Sequence, residues 1–279
     1  MSAEITADRR PPEGSVMPDH ASTAYRERNS TADRALDILL MFGDERQSVS
    51  ATDVAAHLQV ARSTAYRYLQ SLQQGAFIEE RPSGGFQLGP RILELARSAR
   101  RGSGLSEIAQ PFMRRLADGT GETVLLTRLA GPAVLCLERA EAADQAVRIS
   151  YERGQVLPTN AGASAHVLLA WLDDAELDEI LAATPFTRFT DKTIVGATQL
   201  RRRLAETRLH GFAISRGELD GDVLGMAAPI RGGHGKVVAG ISVAAVATRI
   251  PDDRARQIVG ELEQAAAEIS ERLQLLDAS

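Results

Sequence analysis

The sequence predicts an α+β chain in two folded parts: a winged helix-turn-helix, then a larger domain built on a largely antiparallel sheet. Three observations predict it. Three helical patterns stand within residues 31–74, with only Gln59, Val60 and Ala61 between the second and the third. A strand–turn–strand pattern around Gly84 and Gly85 follows them directly. Beyond residue 120, strand runs and helical patterns mix without the regular alternation of a parallel sheet.

Residues 1–29 carry Pro11, Pro12, Gly14 and Pro18 among charges of both signs, with almost nothing to bury, so a disordered tail is expected. Ala35, Leu36, Ile38, Leu39, Leu40 and Phe42 give the first helix a broad apolar face, capped by Ser30 or Thr31 and stopped by Gly43. Ser50 followed by Asp53 has the form of a capping box, opening a short helix with Val54, Ala55 and Leu58 inward. The third helix runs from about Arg62 to Gln74, packs Ala65, Leu69 and Leu72, and ends at Gly75. Phe77 and Ile78, the turn residues 81–85, then Phe86 and Leu88 read as a hairpin. Pro90 opens a further helix. After Gly102 and Gly104 come a helix of about fifteen residues and strands at 123–127, 133–137 and 146–150. Helices follow at 161–172, 174–183 and 198–210, strands at 212–215, 225–230 and 237–245, and a last helix at 252–276. The expected division is a tail at 1–29, a winged helix-turn-helix at 30–90, a linker helix at 91–102 and a second domain at 103–276.

The 279 residues are 44% apolar and 25% charged, ordinary for a globular protein. Cys136 is the single cysteine, so no intrachain disulfide forms and a reducing, cytoplasmic setting is expected. No run suits a signal peptide or a membrane span, so no membrane partner is expected. The net charge of −5 leaves any nucleic-acid affinity to a local basic face.

The third helix offers one. Between Val60 and Phe77 there is no acidic residue, while Arg62 and Arg67 are both present. Ser63 and Thr64 put hydroxyls and free backbone N–H groups at its start, where phosphates and base edges are reached. Tyr66 adds a phenol, and Arg67 suits a guanine edge or a phosphate. Arg81 and Gly84 place a cation and a close-approaching backbone at the wing tip, and Ser50 opens the preceding helix; these eight residues are the expected contacts to double-stranded operator DNA. The bland reading, a packing module with solvated arginines, explains the helices but not the acid-free stretch.

The residues resemble the IclR family of bacterial regulators. The resemblance is carried by 31–39 (TADRALDIL), 62–69 (RSTAYRYL), 85–91 (GFQLGPR), 121–124 (GETV), 148–150 (RIS), 185–190 (PFTRFT), 210–212 (HGF) and 227–230 (AAPI), and it spans about residues 30–273. It implies a GAF-like effector-binding domain, dimerisation through the DNA-binding domain, often a dimer of dimers, and no enzymatic activity or cofactor. A ligand-responsive repressor is expected ahead of an activator. Departures fall in the second domain. Asn160 stands where the family usually has histidine, and His166 where it has lysine. Ser215 and Arg216 replace an acidic pair, Gly225 a cysteine, and Ala244 the second serine of a Ser-x-Ser.

Those positions line the family's ligand cavity. The expected effector site is therefore Asn160, Ala163, Ser164, Ser215, Asp220, Gly225, Ser242 and Ala244. Segment 158–164 opens a helix whose N–H groups would hold a carboxylate without a basic side chain. The small substitutions suggest a roomy site for an anionic organic acid or aromatic effector larger than glyoxylate or pyruvate.

Other motifs weaken on inspection. Gly162 to His166 lacks the central strand and second glycine of a nucleophile elbow, and 232–236 lacks phosphate-loop spacing and reads as a hairpin turn. His20, His57, His166, His210 and His234 show no metal-ligand spacing with Cys136 or each other, so no metal is expected. Cys136 and Trp171 read as packing residues.

Overall fold

The computed structural model describes residues 31–43, 46–102, 104–142 and 151–277. The expected tail at 1–29, the cap at Ser30, the strand at 146–150 and the 148–150 motif lie outside them. The chain divides into two compact units, 1–99 and 100–279.

The first unit holds α1 (Thr31–Leu40), α2 (Ala51–Leu58), α3 (Arg62–Gln74), β1 (Ile78–Glu80) and β2 (Phe86–Leu88), and α4 (Pro90–Gly102) carries the chain onward. Its core is Ile38, Val54, Leu69 and Ile78, all but inaccessible to water. The Ser50 hydroxyl accepts the Asp53 N–H while the Asp53 carboxylate takes the Ser50 N–H, which fixes the first turn of α2. Gln59 closes α2 in the left-handed region at φ 52°, and α3 starts three residues later. β1 and β2 pair Ile78 with Leu88 and Glu80 with Phe86. Val49 exchanges two backbone hydrogen bonds with Phe86, so the chain before α2 lies along the wing. Gly89 is required where the wing passes α3: a Cβ there would lie 2.4 Å from the Ala76 carbonyl.

The second unit holds α5 (Leu105–Thr120), β3 (Thr123–Ala130), β4 (Ala133–Ala140), β5 (Val156–Leu157), α6 (Ala163–Leu169), α7 (Asp174–Ala183), α8 (Ala197–His210), β6 (Ala213–Arg216), β7 (Val223–Arg231), β8 (Val237–Val246) and α9 (Asp252–Asp277). The strands form one sheet in the order β5-β4-β3-β8-β7-β6, every pair antiparallel. One face packs on α5 and α9 through a core that includes Phe112, Met113, Leu126, Ile241, Ile258 and Ile269. The other carries α6, with α7 and α8 outside it. Trp171 stacks under the Arg231 guanidinium, 4.8 Å away, beside the sheet. α6 is shorter than the pattern at 161–172 predicts, because Gly162 sits at φ 93°, ψ 149°, a conformation closed to other residues, and the chain turns again after Leu169. Among the described residues no helix is long and apolar enough to cross a membrane.

Candidate functional site

On α3, Ala65, Leu69 and Leu72 are buried, which turns Arg62, Ser63, Tyr66 and Arg67 outward. Ala61, at the N-cap, offers no side-chain cap, so the Arg62 and Ser63 N–H groups stay uncapped beside the Ser63 and Thr64 hydroxyls, while the Thr64 N–H donates to the Ala61 carbonyl. The Tyr66 ring meets Phe86 of the wing edge-on at 6.4 Å between centroids, tying α3 to the hairpin. At the wing tip Arg81 donates its N–H to Gly85 and accepts from Gly84, which is exposed at φ 90°. Ser50 is engaged elsewhere. Its hydroxyl is hydrogen-bonded to Asp53 as both donor and acceptor, so the capping box uses the groups expected to meet DNA.

The second site lies between α6 and the sheet. Register aligns Thr123, Ala244, Gly225 and Ser215 across four strands, with Leu125, Ser242, Ala227 and Ala213 as the next row. Small residues in those rows and at Gly240, one row further, let α6 lie close: a Cβ on Gly225 would stand 3.4 Å from Ala163 Cβ, and one on Gly240 2.9 Å from Val167. What remains is a cavity of about 40 Å³, lined by Ala163, Ser164, Ser215, Gly225, Ser242 and Ala244 together with Tyr151, Gly162 and Glu218. Ser164 and Ser242 hydroxyls bond across it at 2.9 Å.

Two family models match the chain: the IclR helix-turn-helix domain over residues 31–82, and the bacterial transcriptional regulator IclR C-terminal domain over 99–271. The chain belongs to the IclR family. It is 29% identical to the regulator XynR of Escherichia coli, over 87% of this chain and 96% of that one. It is 33% identical to BhcR of Paracoccus denitrificans, over 85% of each. The crystal structure of an ICLR transcriptional regulator from Silicibacter sp. TM1040 superposes with a TM-score of 0.81 at 29% identity, covering 88% of this chain and 96% of that one. An IclR homologue from Microbacterium hydrocarbonoxydans, crystallised with 4-hydroxybenzoate, gives a TM-score of 0.72 at 28% identity, over 90% of this chain and all of that one. The protein is thus an IclR-type transcriptional regulator, with a DNA-binding helix-turn-helix and a C-terminal effector domain, and not an enzyme.

Within this IclR fold the structure corrects several expectations for the cavity. Asn160 points away from it. Its amide donates to the Thr187 and Ile194 carbonyls at 3.0 and 2.7 Å and pins the segment before α8. Asp220 is exposed, outside the lining, and accepts the Asp222 N–H in a turn. At about 40 Å³ the space is tighter than expected for an effector larger than pyruvate. At the N-cap of α6 the Gly162 N–H donates to Glu218 Oε2 at 3.0 Å, so the helix opens beside a buried carboxylate.

Glu218 is the residue sequence reasoning missed. It is buried, lines the cavity, and carries Arg203 on its other oxygen at 3.3 Å. Burial holds its carboxyl above the usual carboxylate range, opposed by the Gly162 bond and Arg203. His166, fully buried on α6, brings Nε2 within 3.3 Å of Glu218 Oε2, but neither ring nitrogen has an aligned hydrogen bond among the described residues. Burial, with Arg203 adding to it, pushes His166 down to about 3, so the ring is neutral. The only local cue to Glu218 was an acid two residues after a strand end; its partners at 162, 166 and 203 are remote in sequence.

Proposed function

We propose that this regulator is a cytoplasmic repressor whose operator affinity is set by a small organic molecule bound between α6 and the sheet. Two copies of α3 enter successive major grooves of a pseudo-palindromic site, about one helical turn apart. Arg62, Ser63, Thr64, Tyr66 and Arg67 make the contacts there, and Arg81 and Gly84 bring the wing to the backbone. The observation that carries this reading is an α3 whose outward face holds two arginines and no acid, beside a hairpin tied to it through Tyr66 and Phe86. Self-association through the DNA-binding unit is supported by Leu36 and Leu40, 58% and 81% exposed on one face of α1. A dimer of dimers extends the same scheme.

The effector, an organic acid or aromatic molecule, meets the hydroxyls of Ser164, Ser215 and Ser242. It changes operator affinity only by binding one conformation more tightly than the other. The test has two stages: a thermal-shift screen of small acids and aromatics on the full chain, then anisotropy titration of labelled upstream DNA with each hit. Repression by this route predicts hits that weaken DNA binding. Hits that strengthen it indicate an activator or a co-repressor, and hits without effect on DNA contradict the coupling.

A further inference from the structure

Among the described residues, Glu218 is the one charged side chain in the lining of the cavity, and no lysine, arginine or histidine of theirs reaches that lining. The groups around it come from several elements. His166 faces it from α6, and Arg203 from α8. Tyr151 stands in the cavity wall, and the exposed Lys192 lies beside Gly217, the preceding residue. Asp220 on the same loop adds a further negative charge. His166 is neutral, and Arg203 binds the oxygen turned from Gly162 while lying 3.5 Å from Glu206 as well. Toward the cavity the site therefore presents a carboxylate oxygen among three serine hydroxyls, and the Gly162 N–H already donates to that carboxylate.

We infer that the cavity selects an effector offering Glu218 an uncharged hydrogen-bond donor, a hydroxyl or amide, and that a free carboxylate enters only together with a proton. The inference rests on the cavity being the effector site. A second carboxylate placed against Glu218 would put two like charges in a poorly hydrated space, where one of them must be protonated. That proton comes from bulk water and resides on Glu218 or on the entering carboxylate. A hydroxyl needs no such step: it donates to Glu218 and accepts from Ser164, Ser215 or Ser242.

The test uses the full chain and two matched pairs, pyruvate with hydroxyacetone and 4-hydroxybenzoate with 4-hydroxybenzyl alcohol, titrated calorimetrically at pH 6, 7 and 8. For at least one pair, the alcohol is expected to bind at pH 7 at least tenfold more tightly than its carboxylate. The carboxylate should gain up to about tenfold in affinity per pH unit on acidification, as uptake of one proton requires. Glu218→Gln, which retains an acceptor for Gly162, should close the gap and flatten the pH dependence; the pH series on wild type stands even if the variant folds poorly. A carboxylate that binds more tightly than its alcohol, equally at pH 6 and 8 and unchanged in Glu218→Gln, overturns the inference while leaving the cavity as the effector site. Failure of all four compounds to bind either protein overturns the cavity assignment and the inference with it.

Discussion

His166, behind the cavity on α6, and Ser242, in its lining, show how single residues here trade solvation for contact. The His166 ring is fully buried, and its folded pKa of about 3 lies below the ordinary value of 6.5. Between those values the unfolded chain holds a proton that the folded chain does not. The stability this represents is complete above about pH 6.5 and is lost as pH falls toward 3, with a limiting slope of about 1.4 kcal/mol per pH unit. Glu218 and Glu122, both raised by burial, act in the opposite sense above the usual carboxylate range, so the wild-type curve alone mixes signs. His166→Gln isolates the histidine. The stability difference between wild type and variant, from urea melts at pH 5, 6 and 7, should shift in favour of the variant as pH falls; parallel curves contradict a buried neutral ring. Ser242 is buried and bonded to Ser164 across the cavity. Removing such a partner costs about 1–3 kcal/mol. Ser242→Ala should therefore weaken effector binding roughly tenfold to a hundredfold in calorimetry while leaving ligand-free DNA binding intact; equal effector affinities would take Ser242 out of the site.

At the scale of elements, what was legible in the sequence is what local chemistry decides. α2 and α3 lie where the sequence puts them because Ser50 with Asp53 fixes one boundary, three turn residues the next and Gly75 the last. Ser50→Ala should cost about 1 kcal/mol of stability in the DNA-binding unit, read as a shift in denaturant midpoint. Loss of operator binding without that shift would instead point to a DNA contact. The cavity was legible only in part. Ser164, Ser215, Gly225, Ser242 and Ala244 were placed by resemblance, and sheet register brings them together. Asn160 and Asp220 were misplaced because sequence neighbourhood does not say which way a side chain turns at a strand end or loop. Glu218 was invisible, since its role depends on contacts remote in sequence, such as Gly162 with Glu218, and the shortening of α6 follows from a backbone conformation at Gly162 that the helical pattern does not reveal.

For the whole molecule, the described residues form separate cores in the two units, one within 38–86 and the main core of the other within 105–273. A fragment of residues 103–279 is accordingly expected to fold, to bind effector and to lack DNA affinity. Absence of regular secondary structure by circular dichroism would show that the units depend on each other. The central claim is that α3 reads a specific duplex. Arg67→Ala should cost about 1–3 kcal/mol of cognate affinity. A base contact would leave non-specific binding unchanged, whereas a phosphate contact would lower both and reduce the salt slope by about one. The most direct measurement is selection from a random-duplex library with the full chain, followed by titration of the selected site with wild type and Arg67→Ala. The account predicts enrichment of a two-fold symmetric site with half-sites about one helical turn apart, bound roughly ten- to a hundredfold more weakly by the variant. No enriched sequence, or equal affinity of the two proteins for it, would contradict it.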